Sequence, residues 1–259
     1  MAAKLGRTLI VVLLAWPLPA LAWAPLGHEA IAAIAYAHLS PAARAAASSL
    51  LGGDAMLVLN ASWADEIRDK RPETAVWHYV NIPLTQAAYD PRRDCPDGQC
   101  VVGQIERDAT ILGDAHAAKS ARAEALRFLI HFVADAHQPL HVADNRDHGG
   151  NDAIVYLNHR RTNLHHVWDQ DVVLAWGSNA GEVARRIDAS LSAREIAAGS
   201  SGTPADWANE SLADAKTIYA QLNGPGLPAD YAQRQRALTR DRLAKAGLRL
   251  AALLNRILR

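Results

Sequence analysis

The stretch ARAEALRFLIHFVADAHQPLH, residues 121–141, decides how the rest of this 259-residue chain is read. Leu126, Phe128, Leu129, Ile130, Phe132 and Val133 cover nearly the whole circumference of the helix predicted over 121–138. A helix that is apolar all round is a buried one. Yet His131 and Asp135 lie inside it, four residues apart and therefore on one face. A buried carboxylate is costly unless it is paired or bound to a metal. Pro139 stops the helix, and His141 follows just beyond, so the spacing is His-x3-Asp-x5-His.

A second segment, NLHHVWD over 163–169, repeats the arrangement, with His165 and Asp169 again at i and i+4. One such pair is as readily a hydrogen-bonded core histidine with its carboxylate. Two pairs plus His141 point to bound metal, because several buried His and Asp then need a common reason. Imidazole nitrogen with carboxylate oxygen suits zinc, and His-rich sites with few Cys are more often catalytic than structural. WAPLGH over 23–28 adds His28 at the start of a helix, Trp63-Ala64-Asp65 adds a carboxylate in an apolar-aromatic stretch, and Trp77-His78-Tyr79 adds an imidazole. Taken singly, each of these is more simply a satisfied core or loop residue.

Around these segments the composition reads as an ordinary folded protein, 50% hydrophobic and 21% charged, with 27 basic against 27 acidic residues. That excludes a disordered chain and a nucleic-acid binder relying on bulk positive charge. Two cysteines exclude a disulfide-scaffold miniprotein and a Cys-rich zinc module. Helices are predicted near 27–39, 41–51, 55–69, 101–117, 121–138, 164–175, 180–197, 206–221 and 232–258, the last as a solvated amphipathic helix capping the fold. The proline-bearing stretch 71–100 reads as an extended loop, and Ile154–Leu157 as a strand, one arm of a small hairpin. The fold class is all-α, one mainly helical domain with a small β-hairpin.

Residues 1–22 read as a signal peptide: Lys4 and Arg7 are the basic region, Leu9 to Leu14 the apolar run, and Ala20-Leu21-Ala22 the small-residue cleavage site. Pro17 and Pro19 leave that run too short to span about 30 Å of hydrocarbon. Cleavage would leave a chain over 23–259 that begins at Trp23, secreted or periplasmic and without a membrane span. A freshly exposed α-amino group, with a pKa of about 7.7–8.0, can deprotonate and ligate a metal. In an oxidising compartment Cys95 and Cys100, flanking the turn-forming Pro-Asp-Gly-Gln, can pair. So short a loop stabilises by roughly 2 kcal/mol in the chain-entropy picture. Asn60-Ala-Ser62 and Asn209-Glu-Ser211 are glycosylation sequons.

Six segments occur in order: Trp-x4-His, Trp-Ala-Asp, His-Tyr-Val-Asn, His-Phe-x2-Asp-x2-Gln-Pro-Leu-His, His-Gly-Gly-Asn and Asn-Leu-His-x2-Trp-Asp. From Trp23 to about Asp169 this resembles the S1/P1 nuclease family, secreted zinc-dependent single-strand nucleases and 3′-nucleotidases of mainly α-helical fold. The resemblance implies three zinc ions per chain. One would take Asp65, His78, His131 and Asp135; a second the amino nitrogen and carbonyl oxygen of Trp23, with His28 and the shared Asp135; the third His141, His165 and Asp169.

A water polarised by two cations on one bridging carboxylate, Asp135, would attack phosphorus in line and leave 5′-phosphate products. Asp65, Asp135 and Asn151 would be the catalytic residues, with Asn151 touching the phosphate. Tyr79 and Asn81 would contact the base, where fungal members carry Phe and Asp. The implied substrates are single-stranded DNA, RNA and nucleotides, and a monomer is expected. No family role attaches to His38, His116, His137, His148, His159 or His166. A zinc-dependent phospholipase C, which shares the fold and the N-terminal Trp, and a non-catalytic zinc-sequestering protein are the competing readings.

Overall fold

Proline and small polar caps set about half of the α-helix starts in the computed structural model, which describes residues 23–259. The predicted signal segment therefore lies outside the described residues. Pro25 opens α1 (Pro25–Ala37) and Pro41 opens α2 (Pro41–Leu51), whose first turn is capped by Ser40 and whose end is a left-handed Gly52. Two short helices follow, α3 (Met56–Leu59) and α4 (Trp63–Ile67). A 3-10 turn over Pro72–His78, strand β1 (Ile82–Pro83) and α5 (Pro91–Asp94) lead to α6 (Val101–Gly113) and α7 (Lys119–Asp135).

Strand β2 (Ala143–Asp144) precedes the hairpin of β3 (Ile154–Leu157) and β4 (Arg160–Asn163). Then come α8 (Leu164–His166), a π turn over Val167–Asp171, and α9 (Val172–Leu174). The chain finishes with α10 (Ala180–Asp188), α11 (Ala193–Gly199), α12 (Pro204–Ala220), α13 (Tyr231–Arg234) and α14 (Arg236–Ile257). The architecture is mainly α-helical with small sheets.

Helix α7 is buried as its composition requires, with Leu126, Leu129, Ile130, His131, Phe132, Val133 and Asp135 inaccessible. It packs on α6, α4, α2, α1 and α14. Phe128 stacks along the helix on Phe132 and meets Trp63 and Trp77 edge-on. The apolar interior forms two clusters. One gathers α2, α6, most of α7, Trp77 and the Cys95–Cys100 disulfide. The other gathers Trp23, α1, the hairpin, Trp168, α10 and the first half of α14. The histidines and aspartates singled out above come from both sides of the seam between them.

Several expected elements differ for local reasons. The helix expected over 55–69 breaks between α3 and α4, where Asn60 turns its amide back onto the Met56 carbonyl at 2.7 Å. The helix expected over 180–197 is two, because Ser192 and Glu195 form a reciprocal cap that starts α11. The loop expected over 71–100 holds the 3-10 turn and α5. Helix α14 is not a solvated cap: Leu243, Ala246, Gly247, Leu250 and Leu254 are buried, and α1 lies against it. Its buried Arg242 and Arg249 find Glu210, Asp214 and Asp241, so arginines that looked like a wet face sit in an internal ion-pair network. Of the two sequons, Asn60 is buried and accepts from the Arg127 side chain at 2.9 Å, which leaves no room for a glycan. Asn209 accepts from the Tyr89 amide at 2.8 Å.

Candidate metal centre

Backbone pairing brings the pieces together. Strand β1 runs parallel to β2, with Ile82 opposite Ala143, and Val80 N–H donates to the His141 carbonyl at 2.8 Å. This fastens the His78–Asn81 segment alongside His141. On the other side, Trp23 is fully buried with its indole N–H on the Ala134 carbonyl at 3.1 Å, and Ala24 N–H reaches the Asp169 carbonyl at 2.9 Å. A Cβ on Gly27 would stand 2.9 Å from that of Trp23, so glycine lets the start of α1 close over the indole.

Asp65 on α4, His78 at the end of the 3-10 turn, and His131 and Asp135 on α7 converge. His131 Nε2 lies 3.1 Å from His78 Nδ1, 3.3 Å from Asp135 Oδ2 and 3.7 Å from Asp65 Oδ2. His78 Nδ1 lies 3.1 Å from Asp135 Oδ2 and 3.7 Å from Asp65 Oδ1. A tetrahedral zinc with donors about 2.0–2.1 Å away sets those donors about 3.3–3.4 Å from one another. The other oxygen of Asp135, Oδ1, faces His28 Nε2 at 3.5 Å, and the His28 and His131 rings stack at 3.9 Å. Asp135 thus offers one oxygen to each of two donor sets. A third set adjoins these, with His141 Nδ1 4.0 Å from Asp135 Oδ1: His141 Nε2 and His165 Nε2 are 3.0 Å apart, and Asp169 Oδ2 is 3.4 Å from His165.

The hydrogen bonds behind these rings decide their protonation. Nδ1 of His131 is 2.7 Å from the Ala61 carbonyl, Nδ1 of His141 is 2.8 Å from that of His78, and Nδ1 of His165 is 2.7 Å from that of Gly149. A carbonyl can only accept, so each ring's proton sits on Nδ1 and its Nε2 lone pair points inward. Two such lone pairs at 3.0 Å, those of His141 and His165, repel unless a cation stands between them. Both ring nitrogens of His28, Nε2 of His78, and Oδ1 of Asp65 and Asp135 are buried without a hydrogen-bond partner. Buried polar atoms are otherwise paired, so the donor set fits a group of metal ions.

Burial governs the titration. It lowers His28 and His141 well below the ordinary imidazole range, with neighbouring imidazoles adding to the effect, and lowers His78 and His165 to about 4. It also pushes the Asp135 and Asp169 carboxyls well above the carboxylate range. Dehydration drives both changes, and a cation reverses the carboxylate shift.

Above the third set lies a cavity of about 290 Å³. His78, His141 and His165 form its inner wall, and Tyr79, Asn81 and Asn151 line it further out. Tyr79 is about a third exposed and its carbonyl accepts from Val101 N–H at 3.0 Å, beside the disulfide. Asn151 donates to the His148 carbonyl at 2.8 Å. The structure therefore places every residue proposed from the sequence at or beneath one cleft, apart from Cys95 and Cys100, which form a disulfide behind it.

Two further participants emerge. Arg68 lines the cleft with Nη1 3.6 Å from Asp65 Oδ1, and its position one turn after Asp65 was the available signal. Gln138 is buried and donates to Asp169 Oδ1 at 2.6 Å while accepting from Leu140 N–H at 2.6 Å.

Fold and site together define a mainly helical protein with three largely buried His/Asp groups able to hold metal at the base of a cleft. The sequence model of the S1/P1 Nuclease family matches residues 23–259. Endonuclease 2 of Arabidopsis thaliana is 32% identical over 91% of this chain and 90% of its own length. Nuclease S1 of Aspergillus oryzae is 29% identical over 91% of each, and Nuclease P1 of Penicillium citrinum 35% identical over 57% of each. The chain belongs to the S1/P1 nuclease family and is a nuclease, a hydrolase.

Proposed function

We propose that the chain cleaves single-stranded DNA and RNA to 5′-phosphate products with three zinc ions bound, and that it also acts as a 3′-nucleotidase. The observation that carries the reading is Asp135, whose Oδ2 faces His78 and His131 while its Oδ1 faces His28, with a third group of His141, His165 and Asp169 alongside. Asp65, His78, His131 and Asp135 would hold one ion, Trp23, His28 and Asp135 the second, and His141, His165 and Asp169 the third. Zinc supplies Lewis acidity to phosphoryl oxygens and lowers the pKa of water from 15.7 toward about 7.

The chain's own residues do the rest. The carbonyls of Ala61, His78 and Gly149 hold the Nδ1 protons and keep each Nε2 lone pair inward. Gln138 fixes Asp169. The Arg68 guanidinium, beside Asp65 and lining the cleft, offers positive charge where negative charge grows on the phosphoryl oxygens. Asn151, which also lines the cleft, contacts the phosphate. Tyr79 offers its exposed ring for sequence-tolerant stacking, and Asn81, with both a donor and an acceptor, reads base edges differently from a carboxylate. A stacked base and a phosphate at the cleft floor together require an accessible nucleotide, which favours single strands over duplex.

The family match begins at Trp23, the residue that the predicted cleavage exposes, which supports removal of 1–22 as a signal peptide and action outside the cytoplasm. Among the described residues no helix is long and apolar enough to cross a membrane. The test is cleavage of single-stranded and duplex DNA, RNA and phosphatidylcholine by the chain beginning at Trp23, before and after chelation. Chelator-sensitive cleavage of single strands, restored by zinc, with new 5′-phosphate ends is expected. Zinc binding without any strand cleavage would overturn the proposal.

A further inference from the structure

The outer wall of the cleft carries a histidine in the left-handed conformation, uncommon outside glycine. His148, Gly149 and Gly150 are consecutive left-handed residues, with φ of +52°, +62° and +85°. Glycine takes this conformation freely; a β-carbon makes it strained, and such residues concentrate at functional sites. Gly149 has no alternative, since a Cβ there would lie 2.3 Å from the Leu140 carbonyl oxygen.

The loop is pinned from within. Asp144 accepts from the amides of Asp147 at 3.1 Å and Gly149 at 3.3 Å, Asp147 accepts from the Gly150 amide at 2.9 Å, and the Tyr219 hydroxyl donates to Asp147 at 2.8 Å. From the other side, the Gly149 carbonyl holds His165 at 2.7 Å. His148 is thus rigidly mounted on the peptide next to the third donor set, while its side chain is 81% exposed.

The ring is also oriented. Nδ1 donates to Asp152 Oδ2 at 2.5 Å, which leaves Nε2 as its remaining polar atom. The Asp152 carboxylate stabilises the protonated ring first, and the charges of Asp152, Asp144 and Asp147 add to this, so the imidazolium persists to higher pH than usual. Asp144 and Asp147 keep their negative charge while engaged by the loop's own amides and by Tyr219, so the attraction for an anion is confined to the Nε2–H itself. Exposure sets the role: a side chain at the outer wall serves substrate that extends beyond the buried floor, where the scissile phosphate must sit.

The geometry points to His148 as a positioning residue for polymeric substrate, its Nε2–H contacting the phosphate next to the scissile one where a single strand leaves the cleft. This rests on the nuclease reading above. It separates substrates by length, because a dinucleoside monophosphate has only the scissile phosphate and cannot use the contact.

The experiment compares KM and kcat for a long oligodeoxythymidylate and for a dinucleoside monophosphate, at several salt concentrations, in wild type, His148→Gln and His148→Lys. With Gln, the oligonucleotide KM should rise about fivefold, the size of one exposed charge contact. Its kcat and both constants for the dinucleoside monophosphate should hold. The salt slope for the oligonucleotide should fall by about 0.7, the value for one phosphate on a single strand. His148→Lys, which keeps a cation under the same backbone strain, should restore KM and slope. Equal losses on both substrates, or no change with Gln, would overturn the contact. A wild type that cleaves neither substrate would overturn the nuclease reading itself.

Discussion

Asp135 is fully buried, its Oδ1 has no hydrogen-bond partner, and its carboxyl is pushed well above the normal range by dehydration. Without metal it is a liability, and under the proposed reading it would serve two ions at once. Asp135→Ala should therefore lose two of three bound zinc ions and essentially all activity, while melting no lower than wild type when both are chelated. Element analysis and thermal melting in chelator check the two halves; retained activity would remove the bridging role. Gln138→Ala acts differently. It frees Asp169 Oδ1 from its 2.6 Å donor, and losing such a supporting hydrogen bond weakens metal affinity about 10–100-fold. Competition with a zinc indicator should show one weakened site and two unchanged. His131 with Asp135 and His165 with Asp169 are legible in the sequence because buried charge at i, i+4 spacing has few explanations, whereas Trp23, His28, Asp65 and His78 become ligands only through the family resemblance. Gln138 and Arg68 are legible by neither route, since a glutamine before a proline and an arginine after an acidic turn acquire meaning only when the fold shows what they face.

At the level of elements, local signals located α1, α2, α6, α7 and the β3–β4 hairpin: proline starts mark α1 and α2, a left-handed glycine ends α2, and the apolar pattern marks α6 and α7. They missed the parallel β1–β2 pair, two residues on each side, which is made by tertiary pairing rather than propensity. They also misread α14. Its alternation of basic and small residues looks solvated, but the small residues exist to let α1 approach. A Cβ on Gly247 would stand 2.6 Å from Ile34 Cγ2 and 3.0 Å from the Ile31 carbonyl oxygen. Gly247→Ala should wedge α1 away from α14 at a cost of about 1–3 kcal/mol, typical of overpacking. The melting temperature should then fall by roughly 2–4 °C per kcal/mol in a chain of this size. Because α1 also carries His28, the variant should bind its second zinc more weakly. An unchanged melting temperature would show that the two helices separate freely.

Across the whole molecule, two sets of buried charge hold parts that apolar packing leaves apart. One is the ion-pair network between α12 and α14. Burial pushes the Glu210 carboxyl up, but Arg249, Lys245 and Arg242 outweigh it and bring it down to about 2. A carboxyl lowered on folding contributes stability above its unfolded pKa and loses it as pH falls through the folded value. Relative to wild type in chelator, Glu210→Gln should melt lower at neutral pH, and the difference should close between pH about 4.5 and about 2. A difference independent of pH would mean that Glu210 acts by packing alone. The other set is the metal centre, which draws donors from α1, α4, α7, α8 and the turns beside β1 and β2, and so from both apolar clusters. A ligand that binds only the folded state at a thousand times its Kd adds about 4 kcal/mol. Here bound ions would also neutralise Asp135 and Asp169 and separate the facing lone pairs of His141 and His165. Chelation should accordingly lower the melting temperature by about 8–16 °C, and zinc should restore it. The loss should be one cooperative transition of the whole chain, because the donors link both clusters. A stripped protein that melts where the loaded one does would mean the two clusters hold together without the ions, and that the centre was assembled for chemistry alone.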